Sequence, residues 1–278
     1  MQEELTRRDA IRVGSAVFMS GTMAALANLL SGCTGGSSGS SSSSGSGGTT
    51  TSSSSCLQST NVTRGPYFLD DRADANIQND VVDSSIPQRS DIRPDSKGST
   101  GTQQGLPLAL TINVGSYSSG ACSAIANAQV HIWHCNAQGI YSDVQASSNG
   151  GGTDYTGENF LRGYQFTDSN GQVQFTTIYP GWYSGRSVHI HVKVRIFDSS
   201  GNVTTEATTQ LFFDESVTSA VYAANSAYSK SGTRILNAND GIFSSESPAL
   251  MVGLSGSASS GYTGTVSIGI TTGTIFGG

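Results

Sequence analysis

Between Pro180 and Val194 the chain reads PGWYSGRSVHIHVKV, which gathers Tyr183, Arg186, His189 and His191 into one short stretch. The whole sequence of 278 residues holds four histidines, so two of them at i and i+2 call for an explanation. On a strand, side chains alternate with period two; His189 and His191 therefore share a face and can grip one ion together. The spacing alone leaves a plainer alternative open, a pair of hydrogen-bonded surface histidines.

Two metal folds that use this spacing fit poorly. A cupin-like site wants a carboxylate soon after the pair, whereas the chain continues VKVRIFDSS with Arg195 and Ile196. A copper–zinc dismutase-like site needs a larger histidine set than four. What the neighbourhood offers instead is tyrosine: Tyr183 before the histidines, and Tyr141 inside HIWHCNAQGIYSDV (131–144), just past an expected strand end and a glycine-containing turn.

These stretches, VHIWHCNAQGIYSD, FLRGYQFTDSNGQVQFTTIYPGWYSGRSVHIHV and the upstream TRGPYFLDD (63–71), resemble the intradiol ring-cleavage dioxygenases, discontinuously from Thr63 to Phe213 and most closely the exported, single-domain branch. The resemblance implies a non-haem Fe(III) held by Tyr141, Tyr183, His189 and His191. The donor types suit that ion: ferric iron is a hard Lewis acid that ionises phenols whose ordinary pKa is about 10, and two phenolates stabilise the ferric state in return. The implied reaction opens a catechol-type ring between its two hydroxylated carbons with O2. Tyr183 would leave the metal and take a substrate proton, and Arg186 would stabilise negative charge developing on the ring. Gln210, in TTQLFF, matches a glutamine near the same pocket, and Tyr67 an aromatic beside the substrate. Three departures leave the substrate open: a shorter loop from Tyr183 to His189, no helical dimerisation segment, and Arg64 where an acidic residue often precedes Gly-Pro.

Two readings compete with catalysis on the same scaffold, a non-catalytic ligand-binding sandwich and a metalloprotein using zinc or copper. Tyrosine is common, with 10 residues, so a tyrosine near a histidine can equally be a packing residue. His131 and His134 fall on opposite faces of their strand and read as ordinary polar residues; Trp133 and Trp182 read as core or pocket wall.

The elements that must position these groups are short strands. Alternating apolar and polar residues mark PLALTINV (107–114), AQVHIWHC (128–135), GYQFTD (163–168), GQVQFTTI (171–178), SVHIHVKVRIF (187–197) and TTQLFF (208–213), with a last strand pair through 264–276. The turn at 167–171 reads as a hairpin loop, which assigns Asp168 to turn chemistry. One short helix is expected over 219–229. The fold class is all-β: a single β-sandwich domain with long loops, preceded by a signal peptide and a flexible linker.

That leader occupies residues 1–32. Arg7 and Arg8 precede a weakly apolar stretch, 13–30, in the layout of a twin-arginine signal, and LSGC places Cys33 as a lipidation site; the alternative is an uncut anchoring helix. Residues 33–56 carry the lipidated cysteine and a Gly, Ser and Thr tether reaching on the order of 25 Å. The domain is 57–278. The expected location is extracytoplasmic, as a membrane-anchored lipoprotein. Once Cys33 is spent on lipid, Cys56, Cys122 and Cys135 remain; a Cys122–Cys135 disulfide is expected, with three unpaired thiols as the alternative. The net charge of −6 and the lack of a basic run past the N-terminus exclude a nucleic-acid footprint. The expected partners are a small aromatic diol, O2 and a membrane, and a homo-oligomer is compatible with the sequence.

Overall fold

A computed structural model describes residues 57–68, 86–97, 100–147, 152–246 and 249–276. The expected signal peptide, Cys33 and the tether lie outside the described residues. The strands are β1 (Leu57–Gln58), β2 (Pro107–Ser118), β3 (Ala121–Ala124), β4 (Gln129–Trp133), β5 (Arg162–Phe166), β6 (Gln172–Ile178), β7 (His189–Phe197), β8 (Val203–Phe212), β9 (Leu250–Met251), β10 (Gly253–Ser257) and β11 (Gly261–Ile270); the helices are α1 (Glu215–Ala224) and α2 (Gly241–Ser245).

They form two facing sheets. In the first, β2 is central, parallel to β11 and antiparallel to β6 and β3, while β1 and β10 flank β11. The second runs β5-β4-β7-β8-β9. Between them lie Leu108, Leu110 and Ile112 of β2, Phe175 of β6 and Ile268 of β11, packed against Val130, Ile132, Ile190, Val192 and Leu211. The fold is an all-β sandwich, as the sequence implies.

The inward residues of β7 are β-branched, which suits a pleated surface packed on one side. Its alternate set, His189, His191, Lys193 and Arg195, points away from the sandwich core yet is also buried. A strand that alternates apolar and polar usually faces water on its polar side; here that side is covered. Lys193 and Arg195 are buried because Glu206 of β8 accepts from Lys193 Nζ and Arg195 Nε, both at 2.8 Å. Burial opposes the ionised carboxylate, but the two cations prevail and hold Glu206 at about 2.

Several expectations change. The 167–171 turn is real, and Asp168 Oδ1 accepts from the backbone N–H groups of Asn170 and Gln172, both at 2.9 Å. It is not a hairpin loop, however, because β5 joins the second sheet and β6 the first; the turn is a corner where the chain changes layers. The helix starts earlier than expected, because Asp214 caps it by accepting from Ser216 N and Val217 N. Of the last strand pair expected over 264–276, β11 falls partly within that segment, ending at Ile270, while its antiparallel partner β10 lies upstream of it. Among the described residues no helix is long and apolar enough to cross a membrane.

The expected Cys122–Cys135 disulfide does not form. Cys135 is a free, buried thiol and Cys122 takes part in a different disulfide. Cys122 sits on β3 of the first sheet, whereas Cys135 follows β4 of the second and its Sγ–H donates to Gly181 O at 3.4 Å; the two belong to different layers.

Candidate metal centre

Pairing on the second sheet sets the site out in a row. Cross-strand register aligns Arg162 of β5, Trp133 of β4, His191 of β7 and Gln210 of β8. His189 lies two residues from His191 on the same face. Their Nε2 atoms approach to 3.1 Å, and Tyr183 Oη lies 3.2 Å from His189 Nε2. The Tyr183 and Tyr141 rings meet edge-on, with centroids 5.6 Å apart. All four candidate ligands therefore converge.

Each ring has a separate anchor. His189 Nδ1–H donates to Ser187 O at 2.6 Å, which leaves the Nε2 lone pair facing inward. The His191 ring stacks on Trp133 at 4.7 Å and 6°. Gly65 also comes so close that a Cβ there would lie 3.2 Å from His191 Cε1. Tyr141 follows a turn closed by Asn136 N to Ile140 O at 2.8 Å and Gly139 N to Asn136 O at 2.9 Å. Gly139 has φ of +81°, and a Cβ would fall 2.0 Å from Trp182 O, so this turn lies directly on the backbone leading to Tyr183. Lys230 Nζ joins the two loops by donating to Gln138 O at 2.9 Å and Trp182 O at 2.8 Å.

The surroundings are largely apolar. Trp133, Cys135, Tyr141 and Val144 form a buried cluster with Tyr67, Phe68 and Tyr183 packed on it. Tyr67 stacks on Tyr141 at 4.5 Å and meets Tyr183 edge-on at 6.0 Å. Burial raises the phenols of Tyr141 and Tyr183 above their ordinary value, and burial holds His189 down to about 3 and His191 well below its usual range. Without a cation the donors are neutral phenols and neutral imidazoles. Cys135, pushed up to about 12 by burial, stays a thiol.

Among the described residues no group of three or more His, Cys, Asp and Glu side chains is placed to hold a metal. Any metal here must draw on the phenols, and phenolates paired with imidazoles suit a hard, highly charged cation. Next to the row, Arg186 Nε donates to Asp240 Oδ2 at 2.9 Å and its Nη2 to Gln210 Oε1 at 2.5 Å. Gln210 Nε2 in turn donates to Thr63 O at 3.3 Å.

The structure thus brings together Tyr67, Tyr141, Tyr183, Arg186, His189, His191 and Gln210, all named from the sequence. His131 and His134 are both buried. His131 packs against Phe68 and Trp133, whereas His134 bridges Cys135 O and Thr177 Oγ1 at 2.8 and 2.7 Å. Sequence reasoning missed Asp240, Ser187 and Lys230. Asp240 lies 54 residues from Arg186 in a segment without a motif, and no local pattern marks it.

A family model described as "Dioxygenase" matches residues 87–229. No curated protein matches the chain. An intradiol ring-cleavage dioxygenase from Tetranychus urticae is 28% identical, with a TM-score of 0.60 over 78% of this chain and 95% of its own. A second dioxygenase crystal structure is 30% identical, with a TM-score of 0.58 over the same shares, 78% and 95%. Together with the sandwich core and the tyrosine–histidine cluster, these likenesses have one reading: the chain belongs to the intradiol ring-cleavage dioxygenase family.

Proposed function

We propose that this chain is a non-haem Fe(III) dioxygenase that cleaves a catechol-type ring between its two hydroxylated carbons, using O2. The observation that carries the reading is the approach of His189 Nε2 to both Tyr183 Oη, at 3.2 Å, and His191 Nε2, at 3.1 Å, with the Tyr141 ring edge-on to Tyr183 at 5.6 Å. Tyr141, Tyr183, His189 and His191 would hold the ion. Ferric iron supplies Lewis acidity that binds a catechol as its dianion and makes the ring reactive toward O2.

The protein's own groups divide the remaining work. Tyr141 is 1% exposed and serves as a fixed ligand. Tyr183 is only partly buried and lies on the loop between β6 and β7, so its phenolate oxygen is the one able to receive a hydroxyl proton from the diol. Arg186, aimed by Asp240 and Gln210, presents a fixed cation where charge develops on the ring. Tyr67, Phe68, Trp133 and Val144 keep bulk water from the reacting atoms.

Iron-replete protein should show the visible charge-transfer absorption of tyrosinate bound to Fe(III) and consume O2 with one of catechol, protocatechuate or hydroxyquinol. Tyr183→Phe should shift that absorption and lower turnover by at least about a hundredfold; Tyr141→Phe/Tyr183→Phe should abolish both. A colourless loaded protein, or colour unchanged in the double variant, refutes the proposal. A zinc protein would lack the colour, and a mere binder would consume no O2.

The extracytoplasmic, lipid-anchored placement is part of the same proposal and rests on Arg7, Arg8 and the LSGC sequence ending at Cys33. Full-length protein should partition into membranes and Cys33→Ser should release it; a variant that stays in the membrane fraction contradicts the anchor.

A further inference from the structure

We infer that Asp240 is the positioning residue that sets both the guanidinium of Arg186 and the ring of His189, joining the charge-stabilising and metal-holding halves of the site through one carboxylate. The catalytic consequence rests on the proposed function; the positioning itself does not.

The Asp240 side chain is fully buried. Its Oδ2 accepts from Arg186 Nε at 2.9 Å, Ser187 N at 2.7 Å and Ser187 Oγ at 3.0 Å. Its Oδ1 accepts from Ile242 N at 2.8 Å and Phe243 N at 3.2 Å, which caps α2. The Ser187 held in this way is the residue whose carbonyl accepts the His189 Nδ1–H at 2.6 Å. The path from carboxylate to imidazole is therefore Asp240, Ser187, His189, without a break.

A purely structural role, capping a helix, would need Oδ1 alone. The three donors on Oδ2 contribute nothing to capping, and all belong to the segment that carries Arg186 and leads into β7. Asp240 also lies beyond residues 87–229, the part matched by the family model, so the site draws on a later segment of the chain. Burial opposes its ionisation, but the Ser187 N–H and the Arg186 cation outweigh that and hold the carboxyl at about 2. Asparagine cannot replace it: one side of the amide is an NH2 group, which would face N–H donors whichever way it turned.

Three variants and two readouts test this. Arg186→Met removes the cation but leaves the Asp240 to Ser187 to His189 path, so Fe(III) affinity should stay within about twofold of wild type while turnover falls. Asp240→Asn should lower Fe(III) affinity by about 10–100-fold and lower turnover as well. If Asp240→Asn fails to fold because it strands Arg186, the double variant Arg186→Met/Asp240→Asn removes both charges; it should still bind Fe(III) at least about tenfold more weakly than Arg186→Met. The second readout needs no iron. In the metal-free protein, imidazole nitrogen NMR should show His189 as the Nδ1–H tautomer in wild type and Arg186→Met, and as a mixture once Asp240 is replaced. Loss of both affinity and tautomer purity supports the inference, and either one staying at the Arg186→Met value overturns it. A wild type that binds no Fe(III) refutes the proposed function, and the tautomer measurement then decides the positioning alone.

Discussion

At the scale of single residues, one constraint on a candidate ligand comes from a residue with no side chain. Gly65 adopts φ of +73°, and a Cβ on it would stand 3.2 Å from His191 Cε1, the carbon between the two ring nitrogens. Two penalties coincide there: a left-handed backbone disfavours any L side chain by roughly 1–2 kcal/mol, and the added methyl pushes a ring already stacked on Trp133. Gly65→Ala should therefore lower the melting temperature by only a few degrees, at about 2–4 °C per kcal/mol for a domain of this size. Its effect on Fe(III) affinity should be larger, about tenfold or more, because the displaced group is a candidate ligand. Calorimetry of the metal-free protein beside a competitive iron titration separates the two. Affinity at the wild-type level in a destabilised Gly65→Ala protein would show that the segment carrying Gly65 does not seat His191.

At the scale of elements, legibility follows how local each cause is. The period-two pattern of VHIHVKVRIF shows that His189 and His191 share a face, because strand geometry alone decides it. That this face is covered is not local: it depends on Glu206 arriving from β8 to neutralise Lys193 and Arg195, and on the 61–68 segment lying against β8 and the histidines. The corner at 167–171 shows the same limit. Its turn chemistry is written in TDSNG, yet whether the strands beyond it pair with each other or part depends on β2 and β4 competing for them. The four candidate ligands and Arg186 are legible through the resemblance because they fall within two short stretches, 131–144 and 180–194. Asp240 and Lys230 are not, since each acts on backbone carbonyls, N–H groups or side chains distant in sequence, and such contacts leave no spacing to read. The cysteine pairing failed for a related reason: closeness in sequence between Cys122 and Cys135 spans a change of sheet.

For the molecule as a whole, burying all four histidines has a consequence for stability against pH. His131, His134, His189 and His191 are each no more than 2% exposed. Burial lowers every one: His134 to about 4, His189 to about 3, and His131 and His191 well below their ordinary value. Below pH about 6.5 the unfolded chain takes up protons that the native protein refuses, so these groups contribute stability that is present above that pH and lost as pH falls through it. With up to four protons involved the slope approaches about 5 kcal/mol per pH unit, against a typical domain stability of about 5–15 kcal/mol. Asp240 and Glu206, held at about 2, begin to add to the loss only in the ordinary carboxylate range, below pH about 4.5. Glu246 works in the opposite sense. It is 3% exposed, and burial lifts its carboxyl to about 8 against the combined pull of Arg186 and nearby backbone N–H groups, with Asp240 adding to the rise. The native state then holds a proton that the unfolded chain has released, and stability declines gently as pH rises from about 4.5 to 8. Four groups outweigh one below pH 6.5, and the one acts alone above it. The metal-free protein should accordingly be most stable near pH 6.5, decline gently towards pH 8, and unfold cooperatively between about pH 5.5 and 4. Glu246→Gln should flatten the alkaline side and leave the acid side in place. Denaturant titrations from pH 4 to 8.5 in the presence of a chelator measure both limbs, and a metal-free protein more stable at pH 5 than at pH 7 would mean that the histidines are protonated in the folded state.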